Sequence, residues 1–152
     1  MNGRFDKYVE QLKGLLAELE AAKKFKVGEN KLFPKAGGCY AMIERKKYPY
    51  VGIAKNIHQR MRNHTSGRAE QSAFAFKLAR EATGRVKTYT KAGSKRELMK
   101  DPVFIGAMKS ATERVKNMDS QFVLIEDPSQ RYLFEFFAAV SLDAPYNDFN
   151  TN

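Results

Sequence analysis

The chain has little of what several common protein classes require. It holds a single cysteine, Cys39, which excludes an internal disulfide, and its two histidines lie outside any ligand-like spacing to Cys39, which excludes a structural zinc cluster. The first twelve residues carry charges where a secretory signal needs an unbroken apolar stretch. No run of roughly 18 apolar residues occurs. We therefore expect a cytoplasmic protein that does not interact with a membrane.

Acidic residues are scarce over most of the chain. The 152 residues hold 27 Lys+Arg and 17 Asp+Glu, a net charge of +10, but residues 1–117 hold 26 basic and 11 acidic residues. Residues 118–152 hold one basic and six acidic residues. A positive field of this size attracts polyanions, so nucleic acid is the natural partner class; a well-solvated lysine-rich surface is the alternative. The hydrophobic fraction of 43% is enough for the core of one domain.

Hydrophobic periodicity predicts alternating helices and strands. Apolar spacing and cap residues indicate helices over 4–26, 57–64, 70–82, 102–116 and 128–141. Short aromatic and branched runs indicate strands over 38–43, 48–53 and 121–125, the first two joined by a charged hairpin turn, whereas the basic stretch 87–101 is predicted to be an exposed loop. The sequence thus predicts an α+β fold with a small three-stranded, mixed or antiparallel sheet flanked by helices. Residues 1–30 are assigned to an extra amphipathic N-terminal helix and residues 31–152 to the main domain.

The helix predicted over 57–64 carries two polar residues beside its apolar stripe. Arg60 and His64 lie one turn apart on the same face, so a permanent cation is next to a group that can hold or accept a proton. The alternative is a surface arginine and a histidine that interacts with the helix dipole.

A carboxylate interrupts the aromatic stretch of the last helix, where Glu135 lies among Phe134, Phe136 and Phe137. A buried carboxylate is costly unless it is paired, protonated or bound to a cation. Arg131, four residues earlier, offers an ordinary intrahelical ion pair, and spacing alone does not decide between the two interpretations.

Two tyrosines occupy the predicted hairpin. Tyr40 and Tyr50 can project from one face of the sheet if the register places Tyr40 opposite or diagonal to Tyr50. Aromatic residues in strands are usually packing residues, so these two carry little weight by themselves.

Taken together, these positions resemble the GIY-YIG nuclease family. Its first motif is similar to Gly38-Cys39-Tyr40 and its second to Tyr50-Val51-Gly52, each differing at the middle residue. The following helix resembles the family's helix that carries the catalytic arginine, which is Arg60 here. His64, one turn later, resembles the histidine found in the restriction-enzyme branch of the family. Glu135 matches the family's metal-binding glutamate and Asn147 its closing asparagine. The resemblance extends from about residue 37 to residue 150 and implies a GIY-YIG-like fold.

The resemblance also implies a metal-dependent endonuclease that hydrolyses phosphodiester bonds in DNA, with no small-molecule cofactor. One Mg²⁺ or Mn²⁺ ion would bind to Glu135, because Mg²⁺ keeps most of its waters and needs few protein ligands. Tyr40 would be the general base, activated by nearby cations or by a hydrogen-bonded partner; the candidates are Tyr50, Arg60 and His64. Arg60 would hold the scissile phosphate, and His64 would orient Tyr40 or the attacking water. Asn147 would fix the geometry of the backbone or of Glu135.

Further basic residues are predicted to contact nucleic acid: Lys55, Arg62, Lys87, Lys91, Lys95 and Arg96. Lys55 is also the candidate substitute for the lysine that directly follows the second motif in some members of the family. Two other functions stay open, a non-catalytic nucleic-acid-binding module with the same fold and an interaction domain whose N-terminal helix docks on a partner. The form of the nucleic acid and a homodimeric state are open as well.

Overall fold

The sheet is built from strands that all pair with antiparallel neighbours. The structure, a computed structural model, describes residues 3–85 and 93–149. Its elements in chain order are α1 (Gly3–Ala21), β1 (Phe25–Lys26), a short 3-10 turn (Asn30–Leu32), β2 (Gly38–Glu44), β3 (Lys47–Ala54), α2 (Ile57–His64), α3 (Ala73–Thr83), α4 (Lys95–Leu98), α5 (Pro102–Lys116), β4 (Asp119–Leu124) and α6 (Pro128–Ser141). The strand order is β1-β4-β2-β3, so β3 lies at an edge.

The predicted α+β class is confirmed, but the prediction of three strands is wrong because the described residues form a sheet of four. The missed strand is β1, which pairs with β4 through Phe25 and Ser120. The apolar spacing predicts a first helix through residue 26, whereas α1 ends at Ala21. A two-residue strand is too short to show alternation, and Phe25 is held by its stacking on Phe122 and its edge contact with Phe33.

The β2–β3 hairpin sets the positions of the two motif tyrosines. Its two turn residues, Arg45 and Lys46, both have positive φ angles, as a tight two-residue hairpin requires. The register pairs Tyr40 with Gly52 and Met42 with Tyr50. Because paired residues share a face and alternate residues along a strand share a face, Tyr40 and Tyr50 lie diagonally on one side of the sheet, as predicted.

Helices cover both faces of the sheet. On one face, Tyr40 and Met42 pack with buried residues of α2, α3 and α5, among them Ile57 and Phe74. On the other face, the alternate β2 residues Cys39 and Ala41 pack against α1 and α6 through residues that include Leu12, Leu19 and Phe134. The N-terminal helix therefore contributes to the same core as the last helix. No helix within the described ranges is long and apolar enough to cross a lipid bilayer.

Gly38 of the first motif allows β2 and β4 to approach closely. A Cβ atom on Gly38 would lie 2.2 Å from the backbone oxygen of Val123, and a backbone atom in a central strand pair has little freedom to move away. We expect Gly38→Ala to lower the free energy of unfolding by about 1–3 kcal/mol, the usual cost of overpacking, as measured by urea denaturation.

A matched control for that substitution is Gly106→Ala in α5, where a Cβ atom would meet nothing within 4 Å. Alanine favours the helix, so this variant should be more stable by about 0.5–1 kcal/mol. An unchanged urea midpoint for Gly38→Ala would show that the two strands are not in the close contact described.

Candidate active site

A cavity of about 490 Å³ opens at the edge of the sheet, where β3, α2 and α6 meet. It brings together five of the predicted site residues, Tyr40, Tyr50, Lys55, Arg60 and Glu135. Arg60 comes from a helix on one face of the sheet, and Glu135 comes from a helix that packs on the other face. The side chains of Arg60 and Glu135 can line one cavity because β3 is an edge strand. Helices on both faces of the sheet can reach this open edge.

Tyr40 lies across the second motif. Its side chain is buried, and a Cβ atom on Gly52 would lie 2.3 Å from the Tyr40 hydroxyl oxygen. Glycine at this position therefore makes room for the phenol ring, so the position of Tyr40 depends on Gly52. The Tyr40 hydroxyl is 2.7 Å from Nε2 of His64, within hydrogen-bond distance.

His64 is buried against both motif tyrosines. Its ring packs edge-on to the rings of Tyr40 and Tyr50, with centroids 5.6 and 5.8 Å away, while Tyr50 stacks on Phe74. Burial, followed by the nearby charge of Arg60, lowers the pKa of His64 to about 3. The imidazole is therefore neutral at physiological pH, so it can act on Tyr40 as a hydrogen-bonded partner but not as a cation.

The environment of Tyr40 keeps its hydroxyl protonated. Burial raises the pKa of Tyr40 well above its ordinary value, and Tyr50 adds to this effect. Arg60 has the opposite influence on the Tyr40 pKa but does not outweigh burial. Activation of Tyr40 by nearby cations, one of the two routes suggested by the sequence, is thus opposed by the protein interior.

Glu135 is half-buried in the wall of the cavity. Burial raises the pKa of its carboxyl group, and Arg60 partly offsets the increase. The suggested ion pair with Arg131 does not form, because the Arg131 guanidinium donates to the backbone oxygens of Ile125 and Glu126 at 2.6 and 2.9 Å. Within residues 3–85 and 93–149, no group of three or more acidic, histidine or cysteine residues could hold a metal ion. A cation here would depend on one carboxylate and its own waters.

Asn147 lies outside the cavity and acts on the backbone of the second motif. Its side-chain oxygen accepts a hydrogen bond from the Val51 N–H at 2.8 Å, and its side-chain nitrogen donates to the Val51 carbonyl at 2.7 Å. These two bonds occupy the open edge of β3 in the way that another strand would. Asn147 therefore positions the strand that carries Tyr50, rather than Glu135.

The remaining basic candidates are dispersed. Arg62 is exposed on α2, and Lys95 and Arg96 are exposed on α4, but none of the three lines the cavity. The Lys95 ammonium lies 5.3 Å from the centre of the Phe76 ring. Lys87 and Lys91 fall outside the described residues.

Two residues of α6 that line the cavity were not among the residues predicted from the sequence. Arg131 and Tyr132 both line the cavity and precede Glu135 by four and three residues on α6. Helical spacing puts such residues on the same side of the helix as Glu135, so the signal was present.

The sequence of residues 36–100 matches the profile of the GIY-YIG catalytic domain. This match confirms, over those residues, the resemblance seen in the motifs, and it includes Tyr40, Tyr50, Arg60 and His64. Glu135 and Asn147 lie beyond the matched residues, so their placement depends on the geometry described above. No curated protein sequence matches this chain significantly.

Two solved structures are similar to this fold. They are crystal structures of the GIY-YIG N-terminal endonuclease domain of UvrC from Thermotoga maritima, two tyrosine-to-phenylalanine point mutants bound to the catalytic divalent cation of that domain. The sequence identities are 13% and 11%, and both TM-scores are 0.42. Each similarity covers 79% of this chain and 91% of the other.

The burial of His64 makes the stability of the fold depend on pH in a definite direction. An unfolded histidine takes up a proton near the ordinary pKa of 6.5, whereas the folded imidazole, which faces Tyr40, Tyr50 and Arg60, stays neutral down to about pH 3. Lowering the pH below 6.5 therefore favours the unfolded chain, by at most about 1.4 kcal/mol per pH unit.

We expect the urea midpoint of the wild-type protein to fall with decreasing pH in this window, and that of His64→Gln to fall less steeply. Acidic groups titrate in both proteins, so the difference between the two slopes isolates the histidine. Equal slopes would contradict a buried, neutral His64.

Proposed function

We propose that this chain is a divalent-metal-dependent endonuclease that hydrolyses phosphodiester bonds in DNA. The observation that carries the proposal is the cavity in which two phenols, a guanidinium and an unpaired carboxylate meet. Tyr40, Tyr50 and Arg60 come from the segment that matches the GIY-YIG catalytic domain, and Glu135 supplies the carboxylate. The net charge of +10 favours a polyanionic substrate.

Glu135 fits the role of the metal ligand. Its carboxylate has no ion-pair partner among the described residues, and carboxylate oxygen is the donor that Mg²⁺ and Mn²⁺ prefer. A single protein ligand suffices for an ion that keeps several waters. When bound, such an ion would supply charge stabilisation of the phosphate and of the leaving 3′ oxygen.

Tyr40 fits the role of proton acceptor, and His64 fits the role of the residue that positions it. Burial keeps the Tyr40 hydroxyl protonated in the free protein, so it must first lose that proton to solvent before it can accept one from the attacking water, and the charge of Arg60 favours this loss. Nε2 of His64, 2.7 Å from the Tyr40 hydroxyl oxygen, would hold the phenol in place. The low pKa of the buried imidazole makes it a poor acceptor for the phenol's own proton.

Arg60 fits the role of phosphate ligand. Its exposed guanidinium lines the cavity and presents a planar fork that matches two phosphate oxygens. Tyr50 would fix the position of His64, and Asn147 would fix the strand that carries Tyr50. Lys55, Arg62, Lys95 and Arg96 would contact the flanking phosphates, and Lys87 and Lys91 remain candidates for the same role.

Removal of the carboxylate charge should separate cleavage from binding. We expect Glu135→Gln to abolish cleavage of plasmid and single-stranded DNA in Mg²⁺ or Mn²⁺, with an EDTA control, because the metal would lose its only protein ligand. DNA binding should be unchanged or tighter, since one negative charge is removed from a basic surface.

The matched control is Glu70→Gln, which removes the same charge from an exposed position outside the cavity and should cleave normally. Full metal-dependent activity of Glu135→Gln would reject the metal assignment. Binding without cleavage by the wild-type protein, under every metal condition, would instead favour the non-catalytic binding module.

The proton acceptor and the phosphate ligand can be tested at single positions. We expect Tyr40→Phe and Arg60→Ala each to reduce the cleavage rate by at least about 10²-fold, the usual scale for loss of a proton-transfer or charge-stabilising group. Single-turnover cleavage assays of the purified variants provide the measurement.

Controls of the same chemistry lie elsewhere in the chain. Tyr48→Phe removes a hydroxyl that bonds Gln121, and Arg68→Ala removes an exposed guanidinium; neither residue lines the cavity, and both variants should retain activity. Near wild-type turnover of Tyr40→Phe would remove Tyr40 from the proton-transfer step.

A further inference from the structure

Tyr132 is an exposed aromatic residue at the mouth of the candidate active site. It lines the same cavity as Arg60 and Glu135, yet 69% of its surface is exposed. Among the tyrosines within residues 3–85 and 93–149, it is the one with neither a hydrogen bond through its hydroxyl nor a packed partner ring. At this exposure its ring is available to a ligand.

The position of Tyr132 relates it directly to the proposed chemistry. It precedes Glu135 by three residues on α6, a spacing that places two Cβ atoms about 5–6 Å apart on one side of a helix. The exposed cations Lys55 and Arg60 line the same cavity. A phosphate held by these cations would bring the adjacent nucleotide to the ring of Tyr132.

We propose that Tyr132 stacks on a nucleobase of the nucleotide next to the scissile phosphate, and that the substrate is unpaired at that nucleotide. The inference rests on the proposed nuclease function and adds the substrate class to it. A base within a duplex has both faces covered by neighbouring bases, so a side-chain ring can reach a face only in a single strand, a flap, a frayed end or a distorted site.

An apolar stripe continues along α6 from Tyr132. It would provide a path for the nucleic-acid strand as it leaves the cavity. Phe136 and Val140 follow at intervals of four residues and are 53% and 57% exposed. Phe136 is in edge contact with Phe149. A second copy of the chain could cover such a stripe, but the cations at its Tyr132 end match a polyanion better than another basic protein.

The test is binding of DNA to the full chain in EDTA, with Tyr132 and its variants compared in the Glu135→Gln background, so that no cleavage occurs and no bare carboxylate repels the phosphate. The probes are a single-stranded oligonucleotide with 2-aminopurine at successive positions, and a duplex of the same sequence closed by hairpins at both ends. We expect Tyr132→Ala to bind the single strand about 5- to 150-fold more weakly, the range for loss of one base–aromatic stack. Binding of the closed duplex should change by less than about 2-fold, because it offers no open base to stack on.

Conservative variants separate stacking from general apolar contact. Tyr132→Phe should bind like the wild-type protein and quench the same 2-aminopurine position, whereas Tyr132→Leu should be as weak as Tyr132→Ala. Val103→Ala is the matched control, because Val103 is 70% exposed on α5 and lies outside the cavity; it should change neither affinity.

Several outcomes would overturn the inference. Tyr132→Ala would bind the single strand as tightly as the wild-type protein, or would lose affinity equally for both DNA forms. Tyr132→Leu would restore binding of the single strand. Light scattering would show a wild-type dimer that Tyr132→Ala dissociates. The nuclease function is tested separately. Absence of cleavage by the wild-type protein in both Mg²⁺ and Mn²⁺ would contradict it, whatever the binding assays show.

Discussion

The contact between a buried phenol and a glycine backbone is the constraint on which the rest of the cavity depends. Tyr40 can lie across β3 because Gly52 has no side chain, and in that position its hydroxyl reaches His64. His64 in turn packs against Tyr50. A side chain at residue 52 would displace the ring, so the two strand motifs and the histidine of α2 form a single packed unit whose members depend on one another.

The open edge of β3 determines which other residues can join that unit. Arg60 approaches from the helical layer on one face and Glu135 from the layer on the other. Both reach the same cavity because no other strand among residues 3–85 and 93–149 pairs beyond β3. An unpaired strand edge is normally a liability, since its backbone groups can pair with other chains. Asn147 satisfies both backbone groups of Val51 at this edge, which keeps the second motif in place without closing the cavity.

Local sequence signals predicted most of the elements, although the short helix α4 lies within the stretch that was predicted to be an exposed loop. Long-range contacts explain why β1 was missed. Asn56 marked the start of α2 because its side chain caps the helix, whereas β1 was missed because two residues show no periodicity and only pairing with β4 defines them. The motif residues could be listed from the sequence, but the neutrality of His64 and the high pKa of Tyr40 follow from burial. Burial depends on the whole fold and is not visible in a motif.

If the substrate is DNA, as proposed, the charges around the cavity favour a cation at Glu135. Arg131, the nearest basic residue on α6, gives its hydrogen bonds to the backbone at the end of β4, so it does not form the ion pair that would neutralise the carboxylate. Arg60 lines the same cavity but would be occupied by a bound phosphate. A bare carboxylate would then face a phosphate at short range, an arrangement that repulsion and burial both disfavour. Glu135 would hold a divalent ion through its carboxylate, and the positive charge of that ion would offset the repulsion between the carboxylate and the phosphate.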